Sequence, residues 1–310
     1  MKGMILAAGL GTRLEPLTNI RPKPLFPVLN RPLLGITIEQ LQQIGAAGVV
    51  INAHHLADMV ERFVESKGWG LEVEVRVEPE ILGTGGGIRN CADFFYDAPL
   101  VVVINADIYH TFDLRPALHY HKEANNLATL VLYDYPRFNQ VGIDEEGRIV
   151  SVREKETQKS SSPSKVLTFT GIHIISPRLF DSMPSAGYFD IIEFYIELAS
   201  KGEAVKGHQM QQGYWRDIGR VKDYIALHQD LMRVEGKSII HPEAHIEDGV
   251  RMEGSVCVGK GTRIGGSAFI KDSIIWDDVV IEKGSMAEGC VVGDRTRVTG
   301  QHQGEILIPG

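Results

Sequence analysis

The chain has 310 residues, enough for one large domain or two, and 43% hydrophobic against 23% charged residues supply material for a packed core. A formal net charge of −8 disfavours a nucleic-acid partner, which requires a basic patch. Cys91, Cys257 and Cys290 show neither metal-ligand spacing nor a disulfide framework, the apolar run from Met4 to Ala8 is too short for a signal peptide, and no stretch is long enough to cross a membrane. A soluble cytoplasmic protein with no nucleic-acid or membrane partner is therefore expected.

The first predicted element is the apolar strand that ends in Leu6-Ala7-Ala8 and breaks into Gly9-Leu10-Gly11-Thr12-Arg13, with Lys23-Pro24 ten residues beyond Arg13. Glycines let backbone N–H groups approach an anion, and Arg13 and Lys23 supply charge to a phosphate chain. A dinucleotide-binding G-x-G-x-x-G fails, because Leu14 stands at the third glycine position, and the glycine spacing of a P-loop is absent. Taken alone, G-x-G also describes an ordinary strand-to-loop turn; with the two cations it reads as a nucleoside triphosphate site.

Strand-like and helix-like segments then alternate. Leu34–Ile44, Ala57–Val64 and Ile88–Phe95 carry helical periodicity, whereas Val49–Asn52, Leu71–Val77 and Leu100–Asn105 read as strands. Such alternation predicts an α/β fold, a mainly parallel Rossmann-like sheet with helices on both faces. Asp107 falls just past the buried strand, where it serves equally well as a turn residue or a metal ligand. The run Glu78-Pro79-Glu80-Ile81-Leu82-Gly83-Thr84-Gly85-Gly86-Gly87 opens a helix; its glycines by themselves favour a flexible loop tip, and they also suit close approach to a base or ribose. Arg153-Glu154-Lys155 follows the strand Ile149–Val152 and reads either as a sugar-phosphate contact or as a solvated charge run. Thr157–Ser164 is too polar for core and reads as a loop, and a last helix spans Val221–Val234.

From residue 236 onward the period changes. Ile240, Ile246, Met252, Val258, Ile264 and Ile270 fall six apart; after a slip, Ile274, Val280, Met286, Val292 and Val298 resume the interval. A period of six fits neither helix nor alternating strand and predicts a parallel β-helix of hexapeptide repeats. Two domains follow, 1–235 and 236–310. Short repeat stacks leave apolar ends, so the β-helix is expected to pack on the catalytic domain or on a second subunit as a homo-oligomer.

Together, G-x-G-T-R, the segment Pro22-Lys23-Pro24-Leu25-Phe26-Pro27-Val28, Leu82-Gly83-Thr84-Gly85-Gly86 and Trp215-Arg216-Asp217-Ile218-Gly219 resemble the signature of the sugar-phosphate nucleotidyltransferases. The all-glycine loop is most similar to uridylyltransferases of N-acetylmuramate 1-phosphate, and the repeat tail to mannose-1-phosphate guanylyltransferases and glucose-1-phosphate thymidylyltransferases. The resemblance implies a left-handed β-helix and transfer of a nucleoside monophosphate from a nucleoside triphosphate to a sugar 1-phosphate, releasing pyrophosphate. It also implies catalytic roles for Arg13 and Lys23 and a Mg2+ ion held by Asp107 and Asp217, although Ala106 stands where relatives carry glycine. By the same resemblance, Leu6, Ala8, Gly9, Gly11, Thr12, Glu78, Gly83, Thr84 and Gly85 bind nucleotide. Asn105, Gly142, Glu154, Lys155 and Gly171 face the sugar phosphate. Two alternatives remain open: a catalytically silent regulatory protein, and a hexapeptide acyltransferase using His241 or His245. His54, His55, His119 and His121 receive no role.

Overall fold

The computed structural model describes all residues except 154, 158–161 and 236–237. The chain forms two compact units, one of Met1–Gly9 with Ile36–Asp217, the other of Leu10–Gly35 with Ile218–Gly310.

The first unit is built on a ten-stranded mixed sheet. Four strands, Val101–Asn105, Lys2–Leu6, Gly48–Ala53 and Glu72–Val77, lie side by side in parallel. Near-continuous apolar runs such as Val101–Ile104 are fully buried, as strands covered on both faces must be. Glu72–Val77 lies at the sheet edge, and its alternating charged residues suit that exposure. Beyond Val101–Asn105 the long strand Lys165–Ile175 runs antiparallel and carries an antiparallel extension, so the sheet is mixed where alternation alone suggested mainly parallel pairing. The packed core gathers Met4, Val50, Val101 and Val103 with Phe94, Phe95, Tyr195 and Leu198. Helices fall at Leu33–Gln43, Ala57–Glu65, Gly83–Asn90 and Ile191–Ser200. The last is capped by Asp190, whose carboxylate accepts the N–H groups of Ile192 and Glu193. No helix among the described residues is long and apolar enough to cross a membrane.

In the second unit, three stacks of parallel strands form the coils of a β-helix. Register pairs Val258 with Ile275 and Val292, Ile264 with Ile281 and Val298, and Ile270 with Ala287. These inward residues form one apolar core. The slip therefore falls one residue later than the sixfold reading placed it: Ile275, Ile281 and Ala287 point inward, not Ile274, Val280 and Met286. Turns shortened by one residue, from Ile270 to Ile275 and again from Ala287 to Val292, reset the register, and Ile274 beside Ile275 hides the first step. The first coil stays open, with Ile240 and Ile246 42% and 37% exposed.

The segment Leu10–Gly35 packs within this second unit. Phe26 lies edge-on between Trp276 of the β-helix (centroids 4.8 Å apart) and Tyr224 of the helix Val221–Glu235 (5.6 Å). Tyr224 Oη donates to the Pro27 carbonyl (2.5 Å) and accepts from Trp276 Nε1 (3.1 Å). Leu29 N–H donates to His228 Nε2 (3.3 Å), so that ring keeps its proton on Nδ1, which donates to the Tyr224 carbonyl (3.1 Å).

His228 is one of four buried histidines that burial holds neutral. It lowers His110, His121 and His228 to about 4 and His173 to about 3. All four folded-state values lie below the ordinary ~6.5, so the unfolded chain binds protons first as pH falls. The stabilisation is complete above pH ~6.5 and is lost as pH drops toward 4, at ~1.4 kcal/mol per pH unit for each histidine in that window. Calorimetry should therefore find Tm falling steeply between pH 6.5 and 4.5, with protons taken up on unfolding; a flat Tm across that range would contradict it.

Candidate active site

In the first unit the chain runs from Lys2–Leu6 to Gly48–Ala53 and Glu72–Val77 on one side, then returns to the other side with Val101–Asn105. The strand order therefore reverses between Leu6 and Asn105, which are register partners at the carboxyl edge. Ligands in open α/β sheets bind at such a switch point. Ala106 N–H closes it by donating to the Leu6 carbonyl (2.9 Å).

A buried polar relay organises this edge. Ala7 N–H donates to Asn52 Oδ1 (2.8 Å), and Asn52 Nδ2 donates to Glu78 Oε1 (2.7 Å). Leu82 N–H donates to Glu78 Oε2 (3.2 Å), and His54 Nδ1 donates to the Glu78 carbonyl (2.7 Å). Asn52 and Glu78 are almost fully buried, and these bonds satisfy both ends of the amide and both carboxylate oxygens. The chain after the first strand is thus tied to the loop that precedes the glycine run. Asn52 carries no motif; its one signal is a polar residue ending the apolar run Val49-Val50-Ile51. Asn52→Ala strands a backbone N–H and a carboxylate oxygen, so a loss of ~2–4 kcal/mol in urea unfolding is expected; a loss under ~0.5 kcal/mol would contradict the relay.

The glycine run lies inside the helix Gly83–Asn90. Its first amides are taken by the chain itself: Gly85 N–H (2.9 Å) and Gly86 N–H (3.3 Å) both donate to the Phe189 carbonyl, and Ile191 N–H donates to Thr84 Oγ1 (2.9 Å). A methyl group on Gly85 would strike the Phe189 ring, and one on Gly86 would come within 2.5 Å of the Gly187 carbonyl oxygen. Close approach of the segment Gly187–Asp190 accounts for these glycines, a partner that sequence spacing does not reveal.

A two-stranded ladder brings the neighbourhood of Asp107 to that of Asp217, 110 residues away in sequence. Ile108–His110 pairs antiparallel with Trp215–Asp217, placing Asp217 opposite Ile108, the residue after Asp107. Buried Trp215 anchors this ladder by donating from Nε1 to the Thr170 carbonyl (2.8 Å). Two hard carboxylates on adjoining positions suit Mg2+, which takes few protein ligands and leaves the rest to water and phosphate. No group of three or more His, Cys, Asp or Glu side chains gathers as a metal cage among the described residues.

Of the residues expected to face a sugar phosphate, Gly171 has φ +78° and packs against Asn105: a methyl group there would lie 2.9 Å from Asn105 Nδ2. Gly142 sits against Ser151 and Pro163. Lys155 donates to Glu193 Oε2 (2.5 Å), so an acidic side chain on the helix Ile191–Ser200 partners its ammonium. Glu154 lies outside the described residues.

Gly11, Thr12, Arg13 and Lys23 belong to the second unit. Gly11 has φ +69°, opening a short 3-10 turn over Thr12–Leu14 in which Arg13 is exposed. A methyl group on Gly11 would lie 3.5 Å from Lys23 Cβ, so the glycine turn and the lysine are neighbours. Prolines flank Lys23 and hold its backbone. At the first coil, Glu243 N–H donates to His241 Nδ1 (3.2 Å), a turn contact, and His245 is exposed.

A family model described as nucleotidyl transferase matches residues 2–234, and one described as GMPPB C-terminal domain matches residues 234–303. The chain is 29% identical to a UTP–glucose-1-phosphate uridylyltransferase of Synechocystis, covering 96% of this chain and 84% of the relative. It is 28% identical to a mannose-1-phosphate guanylyltransferase of Mycobacterium tuberculosis, covering 92% and 82%. Among solved structures, HddC from Yersinia pseudotuberculosis complexed with GMP-PN is similar at a TM-score of 0.62 and 25% identity, covering 74% of this chain and 99% of that one.

Proposed function

The chain belongs to the nucleotidyl transferase family, and on that premise we propose that it transfers a nucleoside monophosphate from a nucleoside triphosphate to a sugar 1-phosphate, releasing pyrophosphate. The observation that supports this reading is the ladder that pairs Asp217 with Ile108, the residue after Asp107. The names of the relatives support the substrate class, since the matched enzymes are a glucose-1-phosphate uridylyltransferase and a mannose-1-phosphate guanylyltransferase.

In this reading the acceptor phosphate oxygen attacks the α-phosphorus in line, the α–β phosphoanhydride bond breaks, and pyrophosphate leaves. The acceptor is already an anion, so no general base is required, and the chain contributes positioning and charge. Arg13 stabilises the leaving pyrophosphate, and Lys23 bridges the α-phosphate and the incoming phosphate. Leu6, Ala8, Gly9, Gly11 and Thr12 hold the nucleotide with the loop Glu78–Gly85. Asn105, Gly142, Lys155 and Gly171, with Glu154, face the sugar phosphate. Asp107 and Asp217 are the residues that would hold Mg2+, which would neutralise phosphate charge.

The test is a panel of UTP, dTTP and GTP against hexose 1-phosphates, read by pyrophosphate release. Turnover with at least one pair is expected. Nucleotide binding without turnover across the panel would instead identify a silent regulatory protein, and acetyl transfer from coenzyme A without pyrophosphate release an acyltransferase.

A further inference from the structure

We propose that Arg21 is a positioning residue through which the β-helix sets the geometry of the phosphate-contacting segment around Arg13 and Lys23; this rests on the roles just assigned to those two cations. Arg21 forms a fork to Asp294, Nε to Oδ2 at 2.8 Å and Nη2 to Oδ1 at 2.7 Å, and Nη2 also donates to Asp277 Oδ2 at 2.8 Å. Its side chain is 13% exposed and that of Asp294 10%. A planar guanidinium held in a fork by buried Asp294 and by Asp277, itself 35% exposed, is fixed in direction as well as place.

The receptor is part of the repeat itself. Asp277 and Asp294 are seventeen residues apart, and Ile275 pairs with Val292 two positions before each, so the aspartates occupy equivalent places on successive coils. Backbone amides of the coils orient them: Asp277 N–H donates to Asp294 Oδ1 (3.1 Å) and Lys260 N–H to Asp277 Oδ1 (2.9 Å). Neighbouring residues extend the dock. Trp276 lies under the Arg21 guanidinium at 5.2 Å and against Phe26, and Ile20 lies over Gly293 so closely that a methyl group there would come within 2.5 Å of it. Asn30 then donates to the Val258 carbonyl (2.7 Å).

Lys23 is two residues from Arg21, and the intervening Pro22 has φ −66°. The linkage is short and stiff, so a shift of Arg21 carries Lys23 with it. Displacing a catalytic group by about 1 Å can lower rate by ~10². Repeat regions need only pack to serve as spacers; a bidentate, preorganised contact two residues from a phosphate ligand does more than that.

The test compares full-length wild type with Arg21→Gln, Arg21→Lys, Asp277→Asn, Asp294→Asn and the Arg21→Gln/Asp294→Asn double variant, assayed below each variant's Tm with circular dichroism confirming the fold. Arg21→Gln and Asp294→Asn should each lower kcat ~10–10²-fold while KM for the nucleotide moves less than about threefold. The double variant should be no worse than the worse single, because both break one contact. Arg21→Lys, keeping charge without the fork, should recover part of kcat. Wild-type kcat in folded Arg21→Gln, or fully multiplicative defects in the double, would overturn the proposal. Should Arg21→Gln fail to fold, Arg21→Lys and Asp277→Asn carry the same comparison, and unchanged kcat in both would overturn it. Lys23→Ala separates the two readings: loss of turnover there with full kcat in the Arg21 variants sinks this proposal alone, whereas full turnover in Lys23→Ala sinks the phosphate role on which it stands.

Discussion

Lys23→Ala should fold normally and lose turnover by ~10²–10³ while binding nucleoside triphosphate almost as well as the parent. The two anionic phosphates come closest in the transition state, so a cation placed between them offsets their repulsion mainly there. Loss of one positioned charge-stabilising donor corresponds to ~3–4 kcal/mol of barrier. Structural damage is a poor explanation for such a loss. Lys23 is only partly buried, its turn is held by Pro22 and Pro24, and Phe26, not Lys23, plugs the aromatic cluster with Trp276 and Tyr224. The measurement is steady-state pyrophosphate release beside equilibrium nucleotide binding. Turnover within about threefold of the parent would remove Lys23 from the chemistry.

Asp217→Asn should have the larger effect, reducing magnesium-dependent pyrophosphate release by ~10³ or more. The substitution keeps shape and replaces a hard anionic oxygen by an amide, so the ladder with Ile108–His110 and the Trp215 anchor should persist. A second readout needs no turnover: Mn2+ titrated in the presence of nucleoside triphosphate and followed by electron paramagnetic resonance should bind the variant more weakly than the parent. Retained activity at low magnesium, or unchanged Mn2+ affinity, would detach Asp217 from the metal. Asp107→Asn should behave alike, since both carboxylates are assigned to the same ion in the proposed function.

Local periodicity and local motifs made much of the fold legible. Continuous apolar runs such as Val101–Ile104 did become buried central strands, and helical spacing located Leu33–Gln43 and Ala57–Glu65 to within a residue or so. The sixfold interval announced the β-helix, yet the inward face through Ile275, Ile281 and Ala287 was off by one, because two adjacent isoleucines satisfy the pattern equally well until strands are paired. For the glycine run, sequence alone offers room for a ligand or a flexible loop tip. Its close neighbour is Phe189, from a segment whose sequence says nothing about where it goes.

By itself the sequence determined which residues could carry this chemistry, namely the two cations, the two aspartates and the glycine turns, and which segments would be strand, helix or coil. Those properties depend on side-chain type and on spacing within a few residues, and both are written in the chain. Tertiary structure alone decided the long-range pairings: Asp217 opposite Ile108, next to Asp107, Asn52 with Glu78 beneath the loop, and Arg21 with two aspartates 256 and 273 residues away. Contacts of that range follow from how whole layers bury their apolar faces, and burial of this kind leaves no periodic trace at either end of the contact.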